Sequence, residues 1–188
     1  RMYVGYHQGP EFAVTPGGAA IQKPEVRRAL QYAVDVEAIC ANLLNAPCTR
    51  MTGIVNPNNA HPTLEPYPYD PEIAEYLLDQ AGYPRDANGV RFEMTLQAGE
   101  GRYLNDKNVV LAICQYLDDI GVKTKCDILD WSSVYIPLII EKKAGPMYFI
   151  GSGGATWSPL YDMADLSKPD SGPNYTKWMN EEWFKGWK

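Results

Sequence analysis

Apolar positions change their period several times along this chain, and each change marks an element. Met2–His7 is rich in Tyr and Val and reads as a strand, and Gly9–Gly18, with two prolines and three glycines, reads as a loop. Pro24 then sits where a first helical residue lacks a needed N–H, and Val26, Leu30, Ala33 and Val34 recur at helical spacing. Asp35 is placed to cap a second run through Ile39, Cys40, Leu43 and Leu44, which Pro47 ends. Residues 49–69 carry too many prolines and asparagines for regular structure. Asp70-Pro71-Glu72 starts a helix with Ile73, Leu77, Leu78 and Ala81 as its buried stripe and Gly82 as its stop. Phe92, Met94 and Leu96 alternate with polar residues, as in a strand with one buried face.

A helix over Leu104–Ile120, a strand over Val122–Ile128, a helix capped by Ser132 or Ser133, and a short apolar strand over Met147–Ile150 complete the run. Tyr161–Leu166 reads as a further short helix. From residue 92 the order is strand, helix, strand, helix, strand, which implies parallel strands joined by helical crossovers. The expected architecture is α/β, an open and mostly parallel sheet with helices on both faces. No internal repeat is visible.

Composition narrows the function. The chain has 188 residues and a net charge of −6, which argues against a nucleic-acid partner and against an anionic membrane surface. No apolar stretch is long enough to span a bilayer, and the first residues lack the pattern of a signal peptide. Four cysteines (Cys40, Cys48, Cys114 and Cys126) and two histidines are present, with no CxxC pair, so neither a structural zinc site nor another metal is expected.

Catalysis needs a nucleophile, base or metal held by partners. GxSxG and HExxH are absent. Gly151-Ser152-Gly153-Gly154 follows a strand but does not continue as a nucleotide-binding motif. The expectation is therefore a binding protein with no cofactor and no enzymatic role. Ligands of open α/β sheets sit outside the carboxyl ends of the strands. That places the Gly151 loop, Thr156 and Trp157 at a candidate site, although Trp157 merely covering the sheet end is an equal reading.

Four segments carry a resemblance to a known family. Lys23-Pro24-Glu25-Val26-Arg27-Arg28-Ala29-Leu30-Gln31-Tyr32-Ala33-Val34-Asp35 is the first. Tyr67-Pro68-Tyr69-Asp70-Pro71-Glu72, continuing through Leu77-Leu78 to Ala81-Gly82-Tyr83-Pro84, is the second. Leu117 with Ile120-Gly121-Val122-Lys123 and then Trp131 is the third, and Asn174-Tyr175-Thr176-Lys177-Trp178 is the fourth. Together, and in order, they resemble family 5 extracellular solute-binding proteins, the peptide and nickel binding proteins of ABC importers.

The resemblance implies a lobe of the periplasmic-binding-protein type II fold, with residues 1–188 as one α/β lobe of a two-lobed clamp and residues 171–188 as the start of a truncated C-terminal segment. It implies an extracytoplasmic location. The implied partners are a small-molecule or peptide-like solute, an ABC importer permease and the missing first lobe of the same protein. Export would leave the cysteines oxidised, with Cys40–Cys48 and Cys114–Cys126 as the favoured pairs. The expected cleft residues are His7, Gln8, Trp131, Gly153, Gly154, Ala155, Thr156 and Trp157. In peptide-binding members an aspartate after the last strand pairs with the peptide's amino terminus. Ala155 stands at that position here, which favours a neutral solute or one without a free amine. The alternative is a stand-alone α/β interaction domain whose exposed aromatics dock a protein partner.

Overall fold

The computed structural model describes residues 1–152 and 158–186. Four strands form a single sheet in the order β1-β4-β2-β3, with β1 at Met2–Tyr6, β2 at Phe92–Glu100, β3 at Val122–Asp130 and β4 at Met147–Gly151. β2 pairs in parallel with β3 from Phe92 opposite Val122 to Glu100 opposite Asp130. β4 is also parallel to β2, with Ala98 opposite Phe149. The edge strand β1 runs antiparallel to β4, with Met2 opposite Gly151. The carboxyl ends of the three parallel strands therefore lie together at Glu100, Asp130 and Gly151.

The sheet separates two apolar clusters, and β4 shows why. Its Met147 and Phe149 join the larger core with Leu96, Val110, Val122 and Leu30, while Tyr148 and Ile150 join a smaller one with Tyr135 and Ile139. Successive side chains of a strand point to opposite faces, so an unbroken apolar run is what a strand covered on both faces needs. The larger cluster is built by α1 (Pro16–Gln22), α2 (Pro24–Tyr32), α4 (Pro71–Gln80) and α5 (Asp106–Asp119). The smaller one lies under α6 (Ile136–Ile140) and the wide turn Trp131–Tyr135 that precedes it.

Most helix starts follow their sequence signals. Asp35 accepts from Ala38 N at 2.8 Å at the head of α3 (Val36–Ile39), and Asp70 accepts from Ile73 N at 2.9 Å at the head of α4. Two further short helices, α7 (Pro159–Ser167) and α8 (Glu181–Lys185), close the described chain.

Four expectations are corrected. Residues 16–22, of which 16–18 were expected in a loop, form α1: Thr15 Oγ1 accepts from Gly18 N at 3.1 Å, and bare backbone at Gly17 lets the helix lie against β2, where a Cβ would meet Glu93 O at 2.4 Å. Tertiary packing here overrides the low helix propensity of glycine. In α4 Leu78 is buried and Leu77 and Ala81 are half-buried against the core as expected, but Ile73 faces outward and Ala74 takes its place. α5 begins at Asp106 rather than Leu104, which is exposed. The turn after β3 is capped by Asp130, not by a serine: Asp130 Oδ1 accepts from both Ser133 N and Ser133 Oγ, at 2.8 and 2.6 Å.

The cysteines pair as Cys40–Cys48 and Cys114–Cys126, with Cα atoms 5.8 and 6.4 Å apart. The first closes the chain after α3 and the second ties α5 to β3.

Candidate ligand-binding site at the strand ends

The carboxyl ends of β2, β3 and β4 lie on the same side of the sheet, and an aromatic cluster packs across them. Tyr103 follows β2, Trp131 follows β3, and Tyr135 lies one turn further on. The Tyr103 and Trp131 rings meet edge to face with centroids 5.5 Å apart, and Trp131 and Tyr135 are 5.8 Å apart. Aromatic rings favour such tilted contacts because the positive edge of one faces the negative face of the other.

Glycine makes the cluster possible. A Cβ on Gly99 would lie 2.7 Å from both Trp131 Cε3 and Tyr135 Cδ1, and one on Gly151 would lie 2.8 Å from the Tyr103 ring. Hydrogen bonds then fix the rings. Gly151 N donates to Tyr103 Oη at 2.8 Å, and Tyr135 Oη donates to Phe149 O at 2.6 Å. Burial, outweighing the Phe149 contact, holds the Tyr135 phenol far above its ordinary pKa, so it stays a neutral donor.

The loop after β2 is organised by one carboxylate. Asp106 accepts from Arg102 N, Tyr103 N and Lys107 N at 2.9, 2.8 and 2.9 Å, and more weakly from Gly101 N at 3.4 Å. Burial alone would raise its pKa, but these backbone donors outweigh it and hold the group below the ordinary aspartate value. The loop therefore presents a fixed shape at the head of α5.

The expected cleft residues fall into three groups. Trp131 is where its position after a strand placed it, half-buried at the rim. Gln8 is half-buried, and its backbone N donates to Thr176 O at 2.7 Å, which docks the 174–178 segment beside β1. Gly153, Gly154, Ala155, Thr156 and Trp157 lie outside the described residues.

His7 is in the interior, with no exposed surface. Its Nδ1 accepts from Gly9 N at 3.0 Å and its Nε2 lies 2.9 Å from Lys142 O. That pairing requires a proton on Nε2 alone, a neutral imidazole. Burial lowers its pKa, outweighing the Lys142 carbonyl and Glu11, which draw it up.

Asp162 bears on the missing ammonium partner. It is nearly fully buried, takes a hydrogen bond from Arg1 at 2.9 Å, and accepts from Asn56 N at 3.2 Å. The Arg1 guanidinium holds its pKa below the ordinary range. Its charge is thus already committed inside the protein.

Sequence reading missed Arg102, Tyr103 and Asp106. Their signal was Gly101-Arg102-Tyr103 directly after an alternating strand, with an acid three residues on. Among the described residues no cluster of His, Cys, Asp and Glu could hold a metal ion, and no helix is long and apolar enough to cross a membrane.

The open α/β sheet with helices on both faces has the fold of a periplasmic-binding-protein lobe. The model of the bacterial extracellular solute-binding proteins, family 5 (Middle), matches residues 6–174, and the chain belongs to that family. It is 34% identical over 169 residues to the glutathione-binding protein GsiB of Salmonella paratyphi A, covering 85% of this chain and 31% of that protein. The chain thus spans about a third of the length of the curated relatives it matches. Among solved structures, HbpA2 of Haemophilus parasuis superposes with a TM-score of 0.79 at 22% identity, over 98% of this chain and 35% of that one. The binding protein AgaA from A. tumefaciens R10, in complex with agropinic acid, superposes with a TM-score of 0.78 at 26% identity, over 98% of this chain and 36% of that one.

Proposed function

We propose that this chain is the ligand-capture lobe of an extracytoplasmic solute-binding protein, and that it closes with a second lobe over a peptide-like solute delivered to an ABC importer permease. The observation that supports this most directly is the convergence of three parallel strand ends on a rigid aromatic platform, in a chain that matches a solute-binding family over nearly all its length. The peptide-like solute class is supported by the curated relatives, which are named for glutathione.

In this reading Trp131, Gln8 and residues 153–157 line the cleft. His7 acts one step back, pinning the turn that carries Gln8. The role in this reading is capture and release.

The test is calorimetry on the complete polypeptide with reduced glutathione, a panel of di- and tripeptides, and sugars of similar size. Binding is expected for at least one peptide-like member at micromolar affinity or better. Binding confined to the sugars would overturn the peptide-like assignment, and binding of none would overturn the capture role.

A further inference from the structure

The loop that carries Tyr103 is held from outside as well as from within. Asp106 accepts the N–H groups of Arg102 and Tyr103 from inside, and Gly151 N fixes the far end of the Tyr103 ring. The third hold is Asn105. Its Nδ2 donates to Leu43 O at 2.8 Å, across 62 positions of sequence, and its Oδ1 accepts from Asn108 Nδ2 at 2.7 Å. Asn105 has a φ of 53°, in the left-handed region, which turns the chain from Tyr103 into α5. Asparagine tolerates that backbone better than most residues.

Leu43 lies in a turn closed by a disulfide. Helix α3 has four residues, and the wide turn Cys40–Leu44 that extends it has five, too few to hold their shape alone. The turn ends at Asn45, with a φ of 49° and its N–H on Cys40 O, and the chain then returns to Cys48, which is bonded to Cys40. Leu43 and Leu44 pack against the larger core. Carbonyls in the last turn of a helix lack partners within it, which leaves Leu43 O for the Asn105 amide.

We propose that Asn105 is a positioning residue for solute capture, and that it acts by fastening the Tyr103 loop to the turn that the Cys40–Cys48 disulfide closes. A loop already held in its binding shape spares the solute the entropy of ordering it. The two disulfides then have separate tasks. Cys114–Cys126 ties α5 to β3, whereas Cys40–Cys48 sets the position of the carbonyl that holds the loop. The rival explanation is that asparagine stands at 105 only for its backbone. Glycine separates the two, because it adopts the left-handed region freely and carries no amide.

This inference rests on the solute-capture reading, and the experiment separates the two. The complete polypeptide is compared with Asn105→Gly, with Asn105→Asp, with the pair Cys40→Ser and Cys48→Ser, and with that pair combined with Asn105→Gly. The pair Cys114→Ser and Cys126→Ser is the control. Each protein is titrated with glutathione and the di- and tripeptide panel at a temperature where circular dichroism shows the native fold, and amide hydrogen exchange is followed without solute.

Asn105→Gly and Asn105→Asp should each bind the tightest panel member roughly 3- to 10-fold more weakly, the span of one net hydrogen bond. Aspartate can still accept from Asn108 but cannot donate to Leu43 O. The Cys40 and Cys48 pair should weaken binding by a similar factor, and adding Asn105→Gly to it should weaken it little further, because both changes break the same link. In Asn105→Gly, exchange should speed up over residues 101–107 and keep the wild-type rate in β2, β3 and β4. The control pair should keep the wild-type affinity within about 2-fold, as expected of a site outside that link. Four results would each overturn the role of Asn105 while the capture reading stands: wild-type affinity in Asn105→Gly, exchange that rises equally throughout the sheet, additive losses in the combined variant, or an equal loss of affinity in the control pair. If wild type binds no member of the panel, both are overturned.

Discussion

At the residue scale the site depends on two side chains that never need to touch a solute. Asp106 converts four loose backbone donors into one fixed loop, and His7 does the same for the turn after β1. His7 also makes stability depend on pH. Its folded pKa is depressed by burial, so the unfolded chain binds the proton more readily. The stabilisation is therefore complete above the unfolded value of about 6.5 and is lost as pH falls below it toward the folded value. Protonation would place a second donor against Gly9 N, with only Glu11 nearby to offset the charge and Lys177, paired to Glu11, opposing it. Urea midpoints are expected to fall between pH 8 and pH 5.5. Asparagine at this position supplies an acceptor that does not titrate, so His7→Asn should flatten that slope while lowering stability at pH 8. A wild-type slope unchanged in His7→Asn would show that another group is responsible.

At the element scale most of the scaffold was legible because local signals and tertiary needs agree. Asp35, Asp70 and Pro71 start helices where their side chains satisfy or avoid exposed N–H groups, and the strand periods of β2 and β4 match what covers each face. Helix α1 was not legible, since a Pro-Gly-Gly start reads as a loop until β2 lies against it. The stripe of α4 was misread at a single residue, because Ile73 and Ala74 both fit an apolar helical period and only packing against helix α2 selects Ala74.

The disulfide between Cys114 and Cys126 acts on the same scale, fastening α5 to the edge strand β3. Closing a loop of that length restricts the unfolded chain by about 3 kcal/mol. The double variant Cys114→Ser with Cys126→Ser should lose roughly 2–3 kcal/mol in urea unfolding, with the native circular dichroism retained. Four reactive thiols in unreduced, denatured protein from an oxidising compartment would contradict both pairs.

At the scale of the whole molecule the proposed capture role makes the strand ends one side of a cleft. A solute held on the platform alone keeps its other face in water, whereas small-molecule sites bury most of their ligand. The 188-residue chain is therefore expected to bind any solute of the proposed two-lobed protein at least 100-fold more weakly, because in that role a second lobe supplies the remaining contacts and excludes water. Titrating one solute against both proteins decides this, and equal affinities would mean that the lobe is a complete site.

The division between sequence and structure follows from the range of the forces involved. Helix caps, strand alternation, the mostly parallel α/β architecture and the family resemblance depend on residues close in the chain or on their order, so the sequence by itself determined them. The platform does not, because Gly99, Tyr103, Trp131, Tyr135 and Gly151 come from three separate stretches and meet only when β2, β3 and β4 pair in register. For the same reason only tertiary structure separated His7, enclosed and neutral, from Arg102, exposed beside the rings of Tyr103 and Trp131. Burial and the presence of a counter-charge are properties of a side chain's three-dimensional surroundings, and those surroundings are assembled by packing between distant segments.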